Sequence, residues 1–131
     1  MLNIETLRPV IEASWGRDTC DPAGRDEWRP ENPSGSQCSM TALVVQDLLG
    51  GDLIHAEVHM NGAKVWNHYW NRLPDGTDVD LTADQFRFLD GATVVNDKVV
   101  HRPPEGPRRC REEYELLRTR VLTALGEKQA G

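Results

Sequence analysis

Gly35-Ser36-Gln37-Cys38-Ser39-Met40-Thr41-Ala42-Leu43-Val44-Val45-Gln46-Asp47-Leu48-Leu49-Gly50-Gly51 decides how the chain is organised. A Pro/Ser/Gly loop from Asn32 to Ser36 precedes the apolar run, Ser36 or Ser34 supplies a capping hydroxyl, and Gly50-Gly51 offers the left-handed stop that ends helices. The spacing predicts a helix from about Gln37 to Leu49. One face runs through Cys38, Thr41, Ala42, Val45 and Leu49, while Leu43, Val44 and Leu48 leave little of the circumference polar, so this is the core helix. Cys38 falls in its first turn, where unpaired backbone N–H groups and the positive end of the helix dipole favour an anion and hence a thiolate. A free cysteine is more often a small buried hydrophobe. The rest of the chain is what makes Cys38 a candidate nucleophile.

Downstream, Asp52 to Met60 alternates, with Ile54, Ala56, Val58 and Met60 on one side and Leu53, His55, Glu57 and His59 on the other. This predicts a half-buried strand whose His55 face is wet. The two histidines and the carboxylate imitate a metal set, but residues four apart on a strand are separated by about 13 Å, too far to share one ion. Asn61-Gly62 is a hairpin turn, so Ala63 to Arg72 returns antiparallel with Trp66, His68 and Trp70 on one face and Val65, Asn67 and Tyr69 on the other. Pro74-Asp75-Gly76 makes a second tight turn into Thr77 to Thr82. A three-residue loop there sets Leu73 opposite Thr77 and Asp80 opposite Trp70, diagonal to His68 on the same face. Diagonal neighbours lie about 7–8 Å apart at the backbone, within reach of a carboxylate and an imidazole. Asp78 shares that face but lies opposite Arg72, nearer the turn.

On the flanks, Thr6 caps a first helix with Pro9 in its first turn and Leu7, Ile11 and Trp15 as its stripe. Gly16 to Ser36, with Pro22, Gly24, Pro30, Pro33 and Gly35, is a long irregular crossing, and Trp28 within it either anchors to the core or lines a groove. Thr82 or Asp84 starts a short helix through Phe86 and Leu89 to Gly91, Val94 and Val95 form a short strand, and a Pro-rich loop follows with His101 exposed. A last helix from about Arg108 to Leu125 buries Cys110, Tyr114, Leu117, Val121 and Leu125. Cys110 is therefore core and Cys20 a loop thiol. Arg108, Arg109 and Arg111 are offset by Glu112, Glu113 and Glu115, which reads as a solvated helix start.

The 131 residues suffice for one domain, 1–131. A net charge of −6, from 15 basic and 21 acidic residues, argues against nucleic acid or an anionic membrane surface as partner. Nothing is long and apolar enough to span a membrane, and the first residues have neither the basic start nor the apolar run of a signal peptide, so the expected compartment is the cytoplasm. Three cysteines at unrelated spacings support neither a disulfide framework nor a zinc site. No nucleotide, flavin or other cofactor is implied.

A cysteine at a helix start, then a histidine on one strand, then an aspartate on the next, is the order a thiol nucleophile needs: a base within reach, and a third group to fix the base's tautomer. This order resembles the transglutaminase-like and papain-like cysteine enzymes. Most of the chain also resembles the small bacterial YunG-like family, through Ser14-Trp15, Glu31-Asn32-Pro33-Ser34, Gln37-Cys38, Thr41 to Asp47 with Gly50-Gly51, His68-Tyr69-Trp70-Asn71, and Asp80-Leu81-Thr82 with Gln85-Phe86. Where the YunG-like pattern has Gly before Gln-Cys, this chain has Ser36. Papain-like enzymes place a glutamine six residues before the cysteine, where this chain has Asn32.

The expectation is an α+β fold with a papain-like or transglutaminase-like core, in which a central helix packs on a small antiparallel sheet with flanking helices. The expected activity is thiol acyl transfer on a peptide, amide or small-molecule acyl substrate. Cys38 is the nucleophile, His68 the proton shuttle and Asp80 its orienting group. The Cys38 N–H with the Gln37 or Asn32 side chain is the oxyanion site, worth roughly 3 kcal/mol or more, and Trp66 and Trp70 flank it. Two rivals remain: a non-catalytic ligand- or peptide-binding module, and a metal-dependent enzyme using His55, His59 or His68 with a cysteine.

Overall fold

Asn3, not Thr6, caps the first helix, α1 (Ile4–Ser14): its side-chain oxygen accepts from the Thr6 N–H at 2.9 Å and from the Thr6 hydroxyl at 3.0 Å. Pro9 consequently falls in the second turn, where it removes one ladder hydrogen bond. Leu7, Val10 and Ile11 are buried, and Trp15, just past the helix, donates its indole N–H to the Thr41 hydroxyl at 2.8 Å. These come from a computed structural model that describes residues 2–83, 91–103, 106–107 and 109–130, with side chains as far as residue 126.

The crossing that follows is more ordered than its prolines and glycines suggest. It folds into two 3-10 turns, Arg17–Thr19 and Pro22–Glu27. Its backbone meets the segment before Cys38: the Asp21 N–H bonds the Ser36 carbonyl at 2.9 Å, and a Cβ at Gly24 would stand 2.1 Å from the Ser36 hydroxyl, so a side chain there would displace Ser36. The core helix, α2, then runs Cys38–Leu49, capped by Gln37 without a side-chain bond rather than by Ser34 or Ser36, and stopped at Gly50 with φ +77°. Ser36 itself has φ +58°.

Four antiparallel strands among the described residues, β1 (Asp52–Met60), β2 (Ala63–Arg72), β3 (Asp78–Val79) and β4 (Thr93–Val100), lie in the order β3-β2-β1-β4. The first hairpin turns at Asn61-Gly62, both at positive φ. The second closes through Leu73 N–H to Thr77 carbonyl at 2.8 Å and pairs Asn71 with Val79 and Arg72 with Asp78, the register that a three-residue turn predicts. The strand expected at Val94-Val95 is longer and forms the edge of the sheet; it carries a bulge opposite Ala56, where Asn96 has φ +59°.

Both faces of β1 are buried at its Leu53-Ile54 end, which corrects the expectation of a wholly wet second face. Leu53, Tyr69, Val79 and Val100 pack into the core with α1, α2 and the last helix, α3 (Arg111–Ala130), whose Tyr114, Leu117 and Val121 are buried. Asn71 joins that face by donating to the Ala42 carbonyl at 2.9 Å. The other face carries Ile54, Ala56 and Val58.

The crossing is pinned to α3 and the turn before it by three ion pairs: Asp18 with Arg120, Asp21 with Arg109, and Arg25 with Glu113 at 2.9 Å. Arg109 and Glu113 are therefore engaged, not part of a merely solvated helix start. Pinning also reverses the expected thiol burial. Cys20 is sealed under the crossing at 0% exposure, whereas Cys110 lies outside α3, half-buried, in the entry turn at φ +59°. The short helix expected from Thr82 or Asp84 to Leu89 falls outside the described residues from position 84 onward. No described helix is long and apolar enough to cross a membrane.

Candidate active site

His68 projects from β2 opposite Ala56 and is 1% exposed. Asp80, one residue beyond β3, meets it with Oδ2 2.5 Å from Nε2. Strand register makes this contact: Asn71 against Val79 places Asp80 beside Trp70, on the His68 face.

The Cys38 sulfur engages the same imidazole, by hydrogen bonding and by charge, and its charge also reaches Tyr69. His68 and Tyr69 are consecutive strand residues and point to opposite faces. Among the described residues β3 pairs only with Asn71 and Arg72, so its pairing with β2 stops short of His68.

Burial disfavours the imidazolium, but the hydrogen bond from Asp80, then the hydrogen bond and charge of Cys38, outweigh it and push His68 up to about 9. Burial raises the Tyr69 phenol, and the Cys38 charge adds to it. The site thus favours a charged imidazole held between Asp80 and Cys38.

Around the imidazole lies a cavity of about 260 Å³ lined by His68, Trp70, Asp78, Asp80 and Val94. The Trp70 ring stands 5.7 Å from the His68 ring, tilted by 33°. Its N–H donates to Asp78 at 3.2 Å, and Arg72 grips the same carboxylate with Nε at 2.7 Å and Nη2 at 3.2 Å. Trp66 shares the face but is 47% exposed, so it borders the site without closing it.

Gln37 is fully buried with both ends of its amide engaged: Nε2 donates to the Gly16 carbonyl at 2.9 Å, and Oε1 accepts from the Thr19 hydroxyl at 2.9 Å. Its side chain ties α2 to the crossing and is not directed to an oxyanion beside Cys38. Asn32 is half-buried in the turn leading to Cys38, its backbone bonded to Arg29 and Gly35.

Thr82, which the sequence suggests only as the start of a short helix, also reaches this site. Thr82 donates to Asp80 Oδ1 from both its N–H and its hydroxyl. The Asp-x-Thr spacing is that of an Asx turn, a signal legible without a structure.

Of the other histidines, His55 bonds Asn67 at 2.8 Å and His59 bonds Glu57 at 2.9 Å. Among the described residues no group of three or more His, Cys, Asp or Glu side chains is disposed to hold a metal ion.

Comparison with known proteins adds two matches. A family model described as YunG protein covers residues 3–126. The uncharacterized protein YunG of Bacillus subtilis (strain 168) is 32% identical over 84 residues, which make up 64% of this chain and 64% of that protein, so the chain spans less than two thirds of its relative's length. No solved structure matches at a significant level.

Proposed function

The chain belongs to the YunG family, and on that premise we propose that it is a cysteine-dependent acyl-transfer enzyme, an amide or peptide hydrolase or a transglutaminase-like acyltransferase, working through a thioester on Cys38. The observation that carries this is the shared imidazole: Asp80 holds Nε2 of His68 at 2.5 Å while Cys38 engages the same ring. On this reading Cys38 at a helix start is the nucleophile, His68 on a strand the base, and Asp80 just past the next strand the orienting carboxylate, the division of roles a papain-like or transglutaminase-like triad would use.

In the proposed cycle the Cys38 proton passes to His68, for which Nδ1 is the ring nitrogen not engaged by Asp80. The sulfur then forms a bond to the substrate carbonyl carbon, and the resulting oxyanion lies at the start of α2. The Cys38 N–H, in the first turn, is one donor to it. With the Gln37 amide occupied, the Asn32 carboxamide is the remaining side-chain candidate. Collapse breaks the C–N or C–O bond, and His68 returns the proton to the leaving group. Water or an amine then attacks the thioester carbonyl, gives its proton to His68, and releases Cys38.

Site-resolved alkylation by iodoacetamide, read by mass spectrometry, tests the pair. Cys38 should react faster at neutral pH than Cys20 or Cys110, and His68→Ala should slow it roughly tenfold. A Cys38 that is inert, or indifferent to His68, would overturn the proposal and favour a binding module, whose ligand affinity would survive Cys38→Ser.

A further inference from the structure

Acyl transfer needs two kinds of group around the attacked carbonyl: a base for the thiol proton, and donors for the oxygen that becomes negative. On the reading above His68 is the base. The Gln37 amide is engaged by Gly16 and Thr19, and the Asn32 amide nitrogen lies over Gly35, within its own turn. That leaves the oxygen with the Cys38 N–H and calls for a second donor beside the first turn of α2.

The packing of α2 on β2 shows which side chain stands there. The end of the helix meets the end of the strand, since a Cβ on Gly51 would lie 2.3 Å from the Arg72 carbonyl oxygen and 3.0 Å from the Leu73 Cα. Nearer its start, the Ala42 carbonyl accepts from the Asn71 amide at 2.9 Å, so α2 lies on the face of the sheet to which Asn71 points. Followed back from its end, the helix therefore passes successively earlier residues of β2. Ala42 to Cys38 is about 6 Å of helix, and Asn71 to Tyr69 is about 6.6 Å of strand in the same sense. Strand residues two apart share a face, so the next side chain on the helix-facing side is Tyr69, level with Cys38. The coupling of the Cys38 charge to the phenol accords with this placement.

Tyr69 is half-buried, its ring packed against the core and 5.0 Å from the His55 ring. Phenols so placed ordinarily have a partner for the hydroxyl, as Tyr114 has in Asp47. The Tyr69 hydroxyl has none among the described residues, and it is not sealed from solvent. Burial and the charges of Cys38 and Cys110 raise its ionisation above the ordinary value of 10, against the pull of Arg109, so the O–H is retained at neutral pH. His68 and Tyr69, consecutive on the strand, point to opposite faces, which brings base and donor to the thiol from different sides.

We infer that Tyr69 is a catalytic residue of the proposed reaction: its O–H donates a hydrogen bond to the substrate carbonyl oxygen as the Cys38 sulfur bonds to the carbon, and with the Cys38 N–H it completes the oxyanion site. The proton stays on the phenol throughout. The inference rests on the thioester chemistry proposed above and supplies the donor that Gln37 does not.

Two reactions of the same thiol separate this role from a structural one. p-Nitrophenyl acetate acylates Cys38 through a tetrahedral oxyanion, whereas iodoacetamide alkylates it at a saturated carbon and forms none. Both are read as added mass on Cys38. Tyr69→Phe, which removes only the hydroxyl, should slow acetyl loading roughly a hundredfold, the usual effect of losing one oxyanion donor, and leave alkylation at the wild-type rate. Circular dichroism verifies that the variant folds.

Equal acetyl loading in the wild type and Tyr69→Phe overturns the role of Tyr69 and leaves the thioester chemistry in place; a fall in Asn32→Ala in its stead assigns the oxygen to that carboxamide. A parallel fall of both reactions in Tyr69→Phe overturns it as well, since the hydroxyl would then act on the thiol itself. A wild-type Cys38 that is alkylated but takes no acetyl group removes the thioester chemistry, and the role of Tyr69 with it.

Discussion

Thr82 holds Asp80 from behind: its N–H and hydroxyl donate to Oδ1 at 3.2 and 3.3 Å, while Oδ2 faces His68. The carboxylate is thereby fixed in the orientation the imidazole needs. Asp80→Asn should slow Cys38 alkylation at neutral pH roughly tenfold and Thr82→Val about threefold, an order set by charge first and orientation second. Equal rates in all three proteins would mean that Asp80 serves only packing.

Stability should depend on pH through His68. Its ordinary value is 6.5 and the folded site holds it at about 9, so the protonated ring contributes stability that is present in full below pH 6.5 and is lost as pH rises through about 9. The difference in urea midpoint between the wild type and His68→Gln should shrink across that window. A constant difference would mean that the ring is neutral in the fold.

Gly51, at φ +85°, separates α2 from β1, and a Cβ there would stand 2.3 Å from the Arg72 carbonyl oxygen. Gly51→Ala should therefore cost about 2–3 kcal/mol, from backbone strain and displacement of the β2 end together. Gly76 has φ +89° with nothing within 4 Å, so Gly76→Ala isolates the conformational part, about 1 kcal/mol. Denaturant midpoints of the two variants compare these costs directly.

The Gln37 amide is buried against Gly16 and Thr19, and Gln37→Leu would remove both of those bonds, leaving the Gly16 carbonyl and the Thr19 hydroxyl only their bond to each other at 3.0 Å. A loss of about 1–3 kcal/mol is expected. If stability is unchanged but alkylation of Cys38 alters, the side chain acts on the site instead.

Cleavage of the crossing reports on its attachment to α3. Each ion pair there is partly exposed and by itself worth little, about 1 kcal/mol or less. Combining Asp18→Ala, Asp21→Ala and Arg25→Ala should open the segment locally and speed its limited proteolysis roughly tenfold while leaving the sheet intact.

Turn chemistry made much of the sheet legible. Asn61-Gly62 and Pro74-Asp75-Gly76 admit few backbone paths, and each fixes the register of the strands it joins, so the neighbourhood of His68 and Asp80 followed from counting residues. Gly50 in the same way announced the end of α2. What local pattern could not reveal were partners distant in sequence. Asp21 finds Arg109 and Asp18 finds Arg120 across most of the chain, and no periodicity encodes such pairs. The misplacement of Cys20 and Cys110 follows, since their burial depends on how that crossing lies under α3. Ser36 is a different case: its left-handed φ of +58° is where the YunG-like pattern keeps glycine, so the departure was visible but its backbone meaning was not.

The attachment of the crossing to α3 also sets a timetable for the newborn protein. Cys38 leaves the ribosome well before Arg109, Glu113 and Arg120, and at the usual pace of synthesis Arg120 follows it by roughly 4–16 s. During that interval the segment leading to the thiol lacks the ion pairs that hold it in place. These pairs therefore secure the segment before Cys38 only once α3 has emerged, late in synthesis rather than when the core helix itself appears.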